Sequence, residues 1–162
     1  MELKLLIGHL SKETELFKEF VSVLQKETEN LVGRDYKGLY ETISRKEHLL
    51  IRFEVLSSAR QELMQAAAKS LGIAGDVNLS RIIEMSGGVD RAEIKRLQTT
   101  ILTLLDSIRE INKLNSLVVK ESIENINKTL GMLANFMPAG TYSQSGSYQG
   151  IAVKGSRLSE GA

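Results

Sequence analysis

A single proline, Pro138, stands among the 162 residues of this chain. Proline lacks the backbone N–H that a helix interior needs, and its ring collides with the preceding turn, so it breaks helices wherever it falls. With its one proline placed late, the chain is free to form unusually long helices. The apolar residues use that freedom. Leu3, Leu10, Phe17, Leu24 and Leu31 recur every seven positions, with Leu6, Ile7, Phe20 and Val21 between them. That spacing lines one face of a helix and does not fit a strand.

Gly33 interrupts this first stripe, and Asp35 is placed to cap the next helix. The second stripe reads Tyr36, Leu39, Tyr40, Ile43, Leu50, Phe53, Met64, Ala67 and Leu71, ending at Gly72 and Gly75. Glu41 and Arg45 stand one turn apart, as a pair on its solvated side. Within the connector that follows, Asn78 to Met85 reads as a short helix whose Leu79, Ile82 and Ile83 close the bottom of a bundle. Asp90, with Glu93 three residues on, has the pattern of a capping box for the last helix. Its seam runs Ile94, Leu97, Ile101, Leu104, Ile108, Ile111, then Asn115, then Val119, Ile123, Ile126, Leu130, Leu133 and Met137. Steps of three and four make a heptad seam, in which a single Asn sets register. The consecutive steps of four around Asn115 resemble a stutter, which locally unwinds a supercoil.

The expected fold is therefore all-α: an elongated antiparallel three-helix bundle or coiled coil with a short connector helix. Its helices fall at about 2–31, 35–71, 78–86 and 90–137, within a bundle domain of residues 1–137. Residues 138–162 form a tail in which ten of 25 residues are Gly or Ser. That composition lacks helical periodicity and is expected to be mobile.

Charge and motifs exclude several functions. Lys and Arg number 21 against 20 Asp and Glu, and no basic run occurs, so neither nucleic acid nor an anionic membrane surface is an expected partner. No cysteine is present, which removes disulfides, thiolate metal sites and thiol nucleophiles. No stretch approaches the ~18 apolar residues of a membrane span, so no membrane insertion is expected. The first residues lack a signal-peptide cleavage pattern, and a cytoplasmic location is the expectation. His9 and His48 lie outside any Glu-x-x-His pattern and read as surface or boundary residues. Glu13, Glu15, Glu27, Glu29, Glu121 and Glu124 read as a solvated helix face. No phosphate loop and no convergent polar set appears, so no catalytic residue, metal ligand or cofactor is assigned and an enzyme is not expected.

At 1.5 Å per residue the three long segments extend roughly 45, 55 and 70 Å. Packed side by side, the last outruns its neighbours by about ten residues. The overhang carries Leu130, Met132, Leu133, Phe136 and Met137. Leaving each exposed forfeits about 1.5–3 kcal/mol, and methionines adapt to varied partners. The overhang is expected to accept an amphipathic helix from another protein. Alternatives are that the connector or tail folds over it, or that two copies self-associate through the stripe as a structural coiled-coil homodimer.

Ile111-Asn112-Lys113-Leu114-Asn115-Ser116-Leu117-Val118-Val119-Lys120-Glu121-Ser122-Ile123, then Leu130-Gly131-Met132-Leu133, then Thr141-Tyr142-Ser143-Gln144-Ser145-Gly146 together resemble the FlgN family of flagellar export chaperones. The resemblance covers about residues 1 to 150, with Ser143 where the commoner form has Gly. It implies a chaperone that binds the C-terminal helices of hook-filament junction proteins, prevents their premature assembly and delivers them to the flagellar type III export gate. By that resemblance the binding residues are Val119, Ile123, Ile126, Leu130, Leu133, Phe136 and Met137, and Tyr142 contacts the export gate. For Val119, Ile123 and Ile126 the alternative is burial in the chain's own bundle. For Tyr142 it is a solvated tail position.

Overall fold

Two long helices form a hairpin, α1 (Glu2–Gly33) and α2 (Tyr36–Ser70). A short α3 (Leu79–Met85) and a long α4 (Gly88–Phe136) follow. The computed structural model describes residues 1–136, with side chains through residue 133. The expected all-helical bundle holds among the described residues; the tail lies outside them. The chain divides into two compact units, residues 1–120 and 121–162.

The hairpin turn differs in detail from its sequence reading. Gly33 is the last helical residue, and the left-handed position falls on Arg34, at φ 55° and ψ 33°. A side chain there costs about 1–2 kcal/mol in backbone sterics. The turn is held by the Asp35 N–H donating to the Asn30 carbonyl at 2.9 Å. As expected, Asp35 caps α2, accepting from the Gly38 N–H at 3.0 Å. A Cβ on Gly38 would stand 2.6 Å from Asp35 Oδ2 and 2.9 Å from Asn30 Oδ1, so glycine permits this close approach.

α1 and α2 run antiparallel, and their ion pairs record the register. Arg60 donates to Glu13 at 3.0 Å, Arg52 to Glu19 at 3.0 Å and Lys46 to Glu27 at 2.6 Å. Arg45 also reaches across to Glu19, at 2.6 Å, in place of the expected bond to Glu41 on its own helix. Between these pairs lies a small apolar cluster of Leu16, Val23 and Leu49, backed by Phe20, Phe53 and Leu56. The Phe53 ring sits 4.5 Å from that of Phe17 and edge-on to Phe20 at 5.8 Å.

The main core lies at the other end of the hairpin. Leu6, Leu10 and Phe17 of α1 meet Ala67 of α2, Ile82 and Ile83 of α3, and Ile94, Leu97 and Ile101 of α4. Asn78 caps α3, accepting from the Arg81 N–H at 3.0 Å, which turns Ile82 and Ile83 inward as the apolar pattern predicts. α4 begins two residues before Asp90, at Gly88. Glu93 accepts from Arg96 one turn on, at 2.7 and 2.9 Å. The capping-box reading of Asp90 and Glu93 is thus replaced by an earlier start, allowed by the positive φ of 58° at Gly88.

Candidate partner-binding surface

Asn115 is the last buried side chain of α4 among the described residues, at 3% exposure. Its amide donates to the Leu24 carbonyl at 3.2 Å and to Glu27 Oε2 at 2.9 Å. Its carbonyl oxygen accepts from Thr28 Oγ1 at 2.6 Å. The other oxygen of Glu27 accepts from Lys46. One hydrogen-bonded chain therefore joins α4, α1 and α2. A buried amide satisfied at three points tolerates no slip of one helix along another, so Asn115 performs the register role its place on the seam implied.

Beyond Asn115 the apolar seam continues while burial stops. Val119, near the end of the first unit, is 41% exposed. In the second unit Ile123, Ile126, Leu130 and Leu133 are each between 53% and 58% exposed. Val119 is thus not buried among its neighbours in the first unit. On a helix of 3.6 residues per turn, the four residues of the second unit fall within a sector of roughly 80°. Met132 is also exposed but lies on the opposite side of the helix. Phe136 is the last helical residue, and its side chain lies outside the described residues, as do Met137 and Tyr142 altogether.

A second exposed apolar line is found on α2. Tyr36, Tyr40, Ile43 and Leu50, read from the sequence as part of the core stripe, face solvent. The residues that face α1 lie on the neighbouring line, Thr42, Leu49, Leu56 and Leu63, where spacing by seven gives the same signal. Two adjacent apolar lines on one helix cannot both face one neighbour, and the sequence pattern alone does not rank them.

Three polar residues are more buried than their sequence reading allowed. His9 is a core-facing residue that hydrogen-bonds the Leu56 carbonyl through Nε2 at 2.8 Å. Glu13 and Glu27, read as solvated, are 2% and 7% exposed. Burial pushes the Glu13 carboxyl above its ordinary value, against the opposing pull of Arg60 and His9. The signal was present: Leu6, Glu13, Phe20 and Glu27 form a second heptad line beside Leu3 and Leu10. Glu19, between them, is held the other way. Its hydrogen bond from Arg45, reinforced by Arg52, keeps its carboxyl below its ordinary value.

None of this polar chemistry converges on a ligand. Among the described residues no group of three or more His, Asp or Glu is placed to hold a metal ion. The clefts found there run along the α1–α2 seam, where Arg45 and Arg52 already engage Glu19. No helix among the described residues is long and apolar enough to cross a membrane. What the surface offers is an apolar helix face left exposed, at Ile123, Ile126, Leu130 and Leu133. A family model described as FlgN protein matches residues 1–150. No curated protein and no solved structure matches the chain.

Proposed function

The chain belongs to the FlgN family of flagellar export chaperones, and from that premise we propose that it binds the C-terminal helices of hook-filament junction proteins along the exposed seam of α4. The observation that carries this reading is the abrupt end of burial on an uninterrupted seam. Asn115 is buried, whereas Ile123, Ile126, Leu130 and Leu133 present half or more of their surfaces to water. Met137 extends the same line in sequence, and Phe136 follows Ser122 and Thr129 at intervals of seven. A junction-protein helix seated there would have its own apolar face covered, which is how such binding prevents premature assembly in the cytoplasm.

Delivery to the type III export gate is part of the same proposal, with Tyr142 as the gate contact on the strength of the family resemblance. Tyr142→Ala is expected to leave the chaperone–substrate complex intact while reducing export.

The first test is co-purification of the full chain with a junction protein. A stoichiometric complex is expected, and Leu130→Glu with Leu133→Glu is expected to abolish it while leaving the circular dichroism of the free chain unchanged. Full retention of binding by that double variant overturns the reading. So does a free chain that light scattering shows to be a stable dimer closed through the same seam.

A further inference from the structure

The rim of the α4 seam differs from that of the α1–α2 contact. With 100° between successive residues, Ser122 and Thr129 flank the seam on one side and Asn127 on the other, with Asn125 just beyond the first pair. The three charged residues of this stretch, Glu121, Glu124 and Lys128, all fall on the opposite side, roughly 140–180° from the centre of the seam. Over the described part of the second unit, an apolar line is thus bordered by amides and hydroxyls. The α1–α2 contact is bordered instead by carboxylates, each engaged by a Lys or Arg: Glu13 with Arg60, Glu19 with Arg45 and Arg52, and Glu27 with Lys46.

We propose that the seam of α4 selects a partner helix whose own flanking positions are uncharged, rich in Asn, Gln, Ser or Thr, and that it rejects helices with acidic or basic flanks. This rests on the reading of the seam as the docking face and adds the chemistry of its occupant. An amide offers both donors and an acceptor, so Asn125 and Asn127 can pair with amides and hydroxyls in either helix direction. A Glu or Lys pressed against Ser122, Asn125, Asn127 and Thr129 loses water and finds no opposite charge among them, the nearest cation on the Asn127 flank being Lys120 of the first unit. Discrimination then comes from the unpaired charge of the wrong partner. Recognition of this kind has no long-range attraction for salt to screen.

A second copy of this chain is the weaker occupant. Two such faces, four half-exposed side chains each, bury on the order of 500 Å² of apolar surface in total, below the roughly 700 Å² of apolar surface in a specific interface of about 1,200 Å². A different partner can lay side chains along both flanks and add neighbouring segments.

The test uses the full chain and three designed peptides of about three heptads. They share a Leu seam and a charged back face, and their flanks are Gln/Ser, Glu or Lys. Fluorescence anisotropy is read at about 0.05 and 0.5 M salt, which brackets the screening range. The Gln/Ser peptide is expected to bind about tenfold more tightly than either charged version, with a change of less than about twofold between the two salt conditions. A charged-flank peptide that binds equally well or better, an affinity that falls about tenfold with salt, or no binding by any of the three overturns the proposal. Repeating the measurement on Leu130→Glu with Leu133→Glu separates the two readings. If a charged-flank peptide wins and this variant loses it, only the rim chemistry is wrong. If the variant keeps the Gln/Ser peptide, the seam is not the docking face and both fail.

Discussion

The α1–α2 contact and the last described turns of α4 are written in the same heptad language and meet opposite fates. Along α1, Leu10, Phe17 and Leu24 are buried, and the line beside them carries Glu13 and Glu27, each engaged by a cation from α2. Along α4, Ile123, Ile126, Leu130 and Leu133 are exposed, and the residues beside them are Ser122, Asn125, Asn127 and Thr129. A stripe of apolar residues therefore says that a helix has a face to cover, and it is silent on who covers it. The chemistry of the rim says more. Paired charges of opposite sign on two segments of one chain can fix each other's register during folding, and an uncharged rim supplies no such charge pairing.

The contrast has consequences for stability, largest first. Leu97→Ala removes a side chain from the main core and is expected to lower the unfolding free energy by about 2–5 kcal/mol. Leu130→Ala, on the exposed seam, is expected to stay within about 0.5 kcal/mol of the parent. Urea unfolding of both checks this, and comparable losses would mean that the two stripes are buried alike. Next in size is the polar tie between helices. Lys46→Met strips Glu27 of its cation and is expected to cost about 1–3 kcal/mol. Adding Glu27→Met should recover part of that loss, because the uncompensated carboxylate is then gone. Arg34→Gly should stabilise the chain by about 1 kcal/mol, by relieving the left-handed backbone at the hairpin turn. A loss of stability there would show that the Arg34 side chain contributes more than its backbone strain costs.

The smallest effect is a slope. Folding raises the pKa of Glu13 above 4.5, chiefly by burial. The folded state therefore binds this proton more tightly than the unfolded chain does. Its contribution to stability is best below the ordinary value and falls as pH rises through the raised one. Glu19 is lowered, with the hydrogen bond from Arg45 as the first cause, so its contribution is present above the ordinary value and lost as pH falls through the lowered one. In urea titrations across the acidic range, Glu13→Gln should gain on the parent as pH rises and Glu19→Gln should lose ground. Slopes of the reverse sign would contradict the burial and pairing described for the two carboxylates.

Much of the fold was readable in the sequence because helix periodicity is a strong signal over long segments. The stripe of α1, the short helix that turns Ile82 and Ile83 inward, and the Asp35 cap all follow from residue spacing. The sequence was less informative where two patterns compete. On α2 the line through Tyr36, Ile43 and Leu50 is as apolar as the line through Leu49, Leu56 and Leu63, and packing against α1 chose the second. Glu13 and Glu27 were misread because a charged residue on a heptad line is ordinarily solvated; their partners, Arg60 and Lys46, are distant in sequence and become neighbours only when the hairpin closes. Arg34 took the left-handed position that Gly33 suggested because α1 runs one residue further. At the candidate surface, the seam itself was visible as Ile123, Ile126, Leu130 and Leu133. The exposure of Leu130 and Leu133 was expected from helix lengths, that of Ile123 and Ile126 was left open, and the uncharged rim emerges only when the residues are placed around the helix.

Amide hydrogen exchange on the full chain, with and without a junction protein, bears on the docking face itself. The amides of residues 121–133 should exchange quickly in the free chain and slow by about tenfold or more in the complex, with little change at Tyr36, Tyr40 and Ile43. Protection that appears on the exposed line of α2 and leaves residues 121–133 untouched would place the partner elsewhere and refute the assignment of the α4 seam.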